Sequence, residues 1–270
     1  MKVITQKITT ESLITAIEEN IFSLISQMKK WPQAAVHDFP EVMWAITDIP
    51  SPLINIVLRA RLKPDQTDET IQTILADAKN RNVPIMWWTG PATEPVDLEA
   101  RLVKHGFINA GQSDGMAVEL SNIKEDIPTP GGLTVELAES KESIKQWCKV
   151  FGAVFELSDF VTDAYYDFIN YIDSDKVLSY LGKVDNEPVA ISQLAFGAGV
   201  AGIYSVATLP EARRQGIGAF MTSIPLLEAK KQGYKIGILH ASEMGIGVYR
   251  GVGFQEYCKI GLHIWSPKET

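Results

Sequence analysis

Between an apolar segment ending near Ala207 and a helical pattern beginning near Gly216, the chain reads Leu209-Pro210-Glu211-Ala212-Arg213-Arg214-Gln215-Gly216-Ile217-Gly218-Ala219-Phe220. No other stretch restricts the fold as strongly. Pro210 stiffens the exit from a strand, and the glycines let the backbone turn and approach a ligand without interference from Cβ. The helix that follows leaves its first amides without intrahelical partners, with the positive end of its dipole behind them. Strand, glycine turn and helix N-terminus in this order predict an α/β unit with an anion site suited to a pyrophosphate. Arg213 and Arg214 add side-chain charge at the same place. The string is not the dinucleotide fingerprint, which needs a third glycine and a ribose-binding acid, nor a P-loop, which needs Gly-Lys-Ser/Thr.

The surrounding pattern alternates helix and strand. A helix is predicted over 11–30, where Ile14, Ile17, Ile21, Leu24, Ile25 and Met28 recur at helical spacing. Strands follow over 41–47 and 53–62, a helix over 68–81, a buried strand over 83–88, a helix over 98–105 and a strand over 115–120. Two prolines and two glycines in residues 126–132 predict a boundary there, giving domains 1–128 and 129–270. The second half repeats the order: strand 133–138, helices 140–151 and 163–169, strands 177–184, 188–196 and 201–207, helix 216–232, strand 235–239, helix 244–251 and a last strand near 257–265. The string Ala78-Lys79-Asn80-Arg81-Asn82-Val83-Pro84-Ile85 lies over Ala229-Lys230-Lys231-Gln232-Gly233-Tyr234-Lys235-Ile236, and His105-Gly106-Phe107 over Val252-Gly253-Phe254. Repeated order at similar spacing indicates a duplicated fold.

Composition sets limits on partners. With 46% hydrophobic and 21% charged residues the chain can bury a sizeable core. A net charge of -8 opposes nucleic-acid phosphates, and no basic run exceeds a pair. Two cysteines in unrelated segments suit a reducing compartment. The first residues run into Gln6, Thr9 and Glu11 rather than an apolar signal, and Gln193, Ser205 and Gly197-Ala198-Gly199 break the one uncharged stretch of membrane length. A soluble cytoplasmic protein is expected, without nucleic-acid or membrane partners and with its oligomeric state open. His37, His105 and His263 form no ligand spacing with each other or with Cys148 and Cys258, so no metal is expected.

The run Arg213-x-x-Gly216-x-Gly218-Ala219, after Tyr204-Ser205-Val206-Ala207 and before Tyr249-Arg250-Gly251-Val252-Gly253-Phe254, resembles the GCN5-related N-acetyltransferase superfamily over about residues 133–265. The resemblance implies an α/β (α+β) fold class, here two tandem copies. Each would be a mixed, mostly antiparallel sheet flanked by helices, with the N-terminal copy degenerate. It also implies acetyl-CoA as cosubstrate and transfer of an acetyl group to a primary amine by direct attack. The amides of Gln215, Gly216, Ile217, Gly218 and Ala219 would hold the pyrophosphate. Backbone groups of Val206 and Thr208 would bind the pantetheine arm, with Arg213 and Arg214 at the loop entrance. Tyr249 matches the tyrosine that serves as general acid, and a phenol with a pKa near 10 stays protonated at neutral pH.

No motif selects a general base among Tyr204, His240, Glu156, Asp159, Asp163 and Glu243. In the first half, Asp65 falls at the position of Gly216, Thr67 at that of Gly218 and Leu102 at that of Tyr249, so that copy lacks both loop and acid. Its first strands are expected to be shortened or replaced by the helix over 11–30. It is expected to shape one wall of an acceptor cleft, with Trp44, Trp87 and Trp88 lining the wall or filling a core. A small-molecule amine is the expected acceptor. A CoA-binding sensor without turnover, O-acylation and a longer acyl chain are alternatives that the residues leave open.

Overall fold

The computed structural model describes residues 8–268. In chain order the first half holds α1 (Thr10–Ile25), a 3-10 turn (Ser26–Lys30), β1 (Ala35–Asp38), β2 (Met43–Ile46), β3 (Ile56–Leu58), α2 (Thr67–Arg81), β4 (Ile85–Thr89), α3 (Leu98–Lys104) and β5 (Ile108–Glu119). The second holds β6 (Leu133–Leu137), α4 (Lys141–Val154), α5 (Asp159–Ile169), β7 (Val177–Val184), β8 (Glu187–Gly197), β9 (Val200–Thr208), α6 (Ile217–Lys231), β10 (Ile236–Ala241), α7 (Ile246–Val252) and β11 (Gln255–Trp265). The duplication is visible in this order: β3, α2, β4, α3 and β5 repeat as β9, α6, β10, α7 and β11.

These elements form two compact units, and neither is a contiguous half of the chain. The larger comprises the described part of Met1–Leu24 with Asp114–Tyr257, and the smaller Ile25–Ser113 with the described part of Cys258–Thr270. The expected division into 1–128 and 129–270 is corrected accordingly, for two reasons. The helix α1 packs within the larger unit, where Asn20 is fully buried. In addition, the last strand of each copy is spent on the other copy's sheet: β10 pairs antiparallel with residues 114–119 of β5, and β4 pairs antiparallel with residues 261–265 of β11.

In the larger unit the strand order is β5-β10-β9-β8-β7-β6, with only β10 and β9 parallel. A core of Leu194, Ile203, Phe220, Met221, Leu226 and Leu239 lies between this sheet and α6. A second cluster, Trp147, Phe151, Leu181, Ile191 and Ala207, joins α4 to the sheet. Each helix on that side starts from a serine cap. The Ser140 hydroxyl accepts the Ser143 amide at 3.0 Å while the Ser143 hydroxyl accepts the Ser140 amide at 3.0 Å, and Ser158 accepts the Val161 amide.

In the smaller unit the order is β1-β2-β3-β4-β11, with only β3 and β4 parallel. Trp44 and Trp87 lie in its core with Ile71, Ile74 and Phe107. The first strands of this copy are short, as expected, yet α1 does not replace them. Three boundaries also depart from the sequence reading. The helix predicted over 11–30 tightens into a 3-10 turn after Ile25, β1 appears where no strand is expected, and β5 begins seven residues early. Both strand segments carry mostly half-buried or exposed side chains, so they lack the apolar alternation by which a strand is read.

Candidate active site

The site begins with a parting of two strands. β9 and β10 run side by side through Ala201–Gly237, Gly202–Ile238 and Ile203–Leu239, and the register stops there. Beyond it, β9 carries a bulge: Ile191 faces Ala207 and Gln193 faces Tyr204, so Ser205 and Val206 together oppose Ser192. The extra residue bends the strand and increases its twist, turning residues 204–208 away from β10. Ser205 takes φ +51°, a left-handed conformation that a non-glycine residue adopts only when its surroundings impose it. A parallel pair that opens into a fork leaves backbone donors and acceptors of one edge for a ligand.

The glycine loop closes over the fork from the α6 side. Gly216 is the N-cap of α6 at φ +81°, and it offers no side-chain hydrogen bond to the first turn. The backbone approaches it through Arg214 at φ +61°. The amides of Ile217, Gly218 and Ala219 precede the first intrahelical bond, from the Phe220 amide to the Gly216 carbonyl at 3.1 Å. A Cβ placed on Gly218 would stand 4.0 Å from both Thr208 Oγ1 and Val248 Cγ1, in space that a side chain would occupy. Strand end, loop and α7 thus converge on an open cradle of amides, and the residues present fit a pyrophosphate and its pantetheine arm. Arg213 turns back, its Nε donating to the Thr208 carbonyl at 3.0 Å, which fixes the exit of β9. Among the described residues, no group of three or more His, Cys, Asp or Glu side chains gathers to hold a metal ion.

Tyr249 lies on α7, next in sequence to Val248 at the cradle. Its ring is half-buried against the α6 core, edge-on to Phe254 at 6.2 Å, and a Cβ on Gly245 would meet it at 2.7 Å. Burial pushes its phenol up to about 12.

The remaining polar groups around the fork belong to other elements. Tyr204, the first β9 residue past the last pair with β10, donates its hydroxyl to Asn20 Oδ1 at 2.8 Å. Burial raises its pKa strongly. His240 stands edge-on to the Tyr204 ring at 6.1 Å, and its Nε2 meets the Ile17 carbonyl at 3.0 Å. Burial holds this imidazole down at about 4, opposed by the Ile17 hydrogen bond. Gln193, fully enclosed, donates to the Ser179 hydroxyl and accepts from Ser205 at 3.1 Å each, and Ser205 also meets the Tyr165 hydroxyl. By contrast, Asp159, Asp163, Glu156 and Glu243 lie on the exposed surface.

Sequence reasoning missed Asn20, Gln193 and Tyr165. For Asn20 a signal existed: it interrupts the apolar stripe of α1 between Ile17 and Ile21, and a polar residue on a buried face needs a partner. In the smaller unit, Thr67 is buried with its hydroxyl given to the Lys63 carbonyl, and Leu102 is a core residue. No glycine stands at that helix start.

Residues 144–254 match the model of the acetyltransferase (GNAT) family. Among curated proteins nothing matches the sequence significantly. Among solved structures, a GCN5-related N-acetyltransferase from Kribbella flavida is similar over 93% of this chain and 96% of that one, at 18% identity and a TM-score of 0.69. A GCN5-related N-acetyltransferase from Sphaerobacter thermophilus covers 98% and 96% at 13% identity and a TM-score of 0.62. A tandem GNAT protein from the clavulanic acid biosynthesis pathway covers 97% and 96% at 10% identity and a TM-score of 0.62. At these identities the structures speak for the fold alone: residues 144–254 match the acetyltransferase (GNAT) family model, and the chain as a whole is similar in fold to a tandem GNAT protein.

Proposed function

We propose that this protein transfers an acetyl group from acetyl-CoA to a primary amine by direct attack. The observation that carries the reading is the fork between β9 and β10, opening after Ile203–Leu239 beside the helix start at Gly216, which no side chain caps. The amides of Gln215, Gly216, Ile217, Gly218 and Ala219 would hold the pyrophosphate, with Arg214 at the entrance. Backbone groups of Val206 and Thr208 would hold the pantetheine arm and set the thioester in the fork.

The amine nitrogen attacks the acyl carbon, a C–N bond forms, and the carbonyl electron pair moves to oxygen near the backbone of the β9 bulge. Collapse breaks the C–S bond. Tyr249 holds a proton toward the departing sulfur. Because burial puts its phenol near 12, well above an ordinary thiol near 8.5, it stabilises the thiolate by sharing that proton in a hydrogen bond, and solvent completes the protonation. His240, held neutral with a pKa of about 4, is a poor base for an ammonium ion. The amine therefore reacts from its neutral form, losing its surplus proton to water.

The test is acetyl-CoA binding by calorimetry, followed by CoA release against spermidine, glucosamine, 2-phenylethylamine and lysine, with product masses. An amine that accelerates release and gains one acetyl mass supports the reading. Failure to bind acetyl-CoA overturns it.

A further inference from the structure

We infer that Asn20, from the helix at the start of the chain, is a positioning residue for acetyl transfer, acting through Tyr204; the inference rests on the transferase reading above. Its amide is fully buried and fully used. Nδ2 donates to the carbonyls of Gly197 at 2.9 Å and Ala195 at 3.3 Å, and Oδ1 accepts the Tyr204 hydroxyl at 2.8 Å. Two glycines exist in β8 and β9 to admit this helix. A Cβ on Gly202 would stand 2.1 Å from Asn20 Oδ1, and one on Gly197 would stand 2.5 Å from the Ser23 side chain. Neither strand position admits a side chain with α1 in place, so β8 and β9 are fitted to this helix.

The location gives the contact its consequence. Tyr204 is the first residue of β9 beyond its pairing with β10 and directly precedes the strained Ser205, so its ring stands where the fork opens. Asn20 draws the phenol toward α1 and consumes its proton. One turn earlier on the same helix, the Ile17 carbonyl, which can only accept, fixes the proton of His240 on Nε2. Both side chains are thereby turned toward α1, and the approach of an amine to the fork stays clear. With Asn20 removed, the buried Tyr204 hydroxyl loses its acceptor and must seek another, for which the ring has to rotate.

The experiment compares the full-length parent, Asn20→Ala, Asn20→Ala/Tyr204→Phe and Asn20→Asp at 20 °C, using acetyl-CoA with the four amines named above, and water as the acceptor if no amine reacts. In Asn20→Ala, kcat/KM for the acceptor is expected to fall about 10-fold or more, as a misplaced wall of a reacting geometry does, with acetyl-CoA Kd unchanged within about 2-fold. The double variant, which has no hydroxyl to satisfy, is expected to recover to within about 3-fold of the parent. Asn20→Asp keeps the acceptor for Tyr204 and is expected to retain activity while melting at a lower temperature. A lower melting temperature with unchanged kinetics in Asn20→Ala overturns the inference, as does loss of acetyl-CoA binding in that variant alone. Should Asn20→Ala fail to fold, Asn20→Asp decides: near-parental activity supports the role, and a 10-fold loss with normal acetyl-CoA binding and a cooperative melt overturns it. A parent that binds no acetyl-CoA overturns the transferase reading and this inference with it.

Discussion

Asn20 Oδ1 accepts the Tyr204 hydroxyl at 2.8 Å across 184 residues of sequence, so a helix from the beginning of the chain completes the unit that carries the glycine loop. The glycine that faces this amide provides a direct probe of the contact. Gly202→Ala would force a methyl to 2.1 Å from Asn20 Oδ1, and a loss of about 1–3 kcal/mol of stability is expected from such overpacking. In an Asn20→Ala background the same substitution should cost less, because the obstructing oxygen is gone, and the Tyr204 ring, whose Cε2 would lie 2.6 Å from the new methyl, is the contact that remains. Urea unfolding of the four variants gives the coupling directly, and additive losses would show that the crowding lies elsewhere.

A chain truncated to begin at residue 129 would lack α1 and residues 114–119 of β5. It would leave β10 with an unpaired edge and the Gly197 and Ala195 carbonyls without the Asn20 amide. Cooperative thermal unfolding by circular dichroism is expected for the full chain and not for the truncated one.

Gly218 and Gly216 should separate binding from folding. The space beside Gly218 is open, so Gly218→Leu is expected to melt within a few degrees of the parent and to weaken acetyl-CoA binding at least about 10-fold by filling the cradle. Gly216 sits at φ +81°, where any Cβ is strained, so Gly216→Ala is expected to lose about 1 kcal/mol of stability as well. Calorimetry and melting on the same samples check both.

With its phenol pushed up to about 12, Tyr249 remains protonated through the neutral and mildly alkaline range, and its ionisation should not reduce kcat below about pH 11. Tyr249→Phe is expected to lower kcat about 10- to 100-fold under conditions where chemistry limits, with acetyl-CoA Kd little changed. Equal rates would remove Tyr249 from the proton path.

His240 should make stability fall in mild acid. Its folded pKa, about 4, lies below the unfolded value near 6.5 because burial disfavours the cation. Between those values the unfolded chain binds more protons, so stability rises with pH. The contribution is complete above about pH 6.5 and is lost as pH falls toward 4, up to about 3 kcal/mol. His240→Gln is expected to flatten the melting temperature between pH 7 and pH 5 relative to the parent.

The sequence by itself determined the parts whose signals are local. Pro210 and Gly216 require particular backbone conformations, Gly218 leaves space beside the helix start, and the apolar periodicity of α2 and α4 reflects burial of one helix face; these requirements are written into adjacent positions. The repeated strings at residues 78–85 and 229–236 likewise revealed the duplication, since each copy had to satisfy the same helix end, turn and strand. What only the tertiary structure decided is which copy each shared piece serves. The final strands carry similar patterns, and nothing in β5 or β11 states that each will complete the other copy's sheet, because backbone hydrogen bonds read no side chain. The place of α1 was equally hidden: its apolar stripe names no packing partner, and the room that Asn20 and Ser23 need is left by Gly197 and Gly202, nearly two hundred residues away. The fork has the same origin, since the parting of β9 from β10 follows from a bulge defined only when β8 is laid beside it.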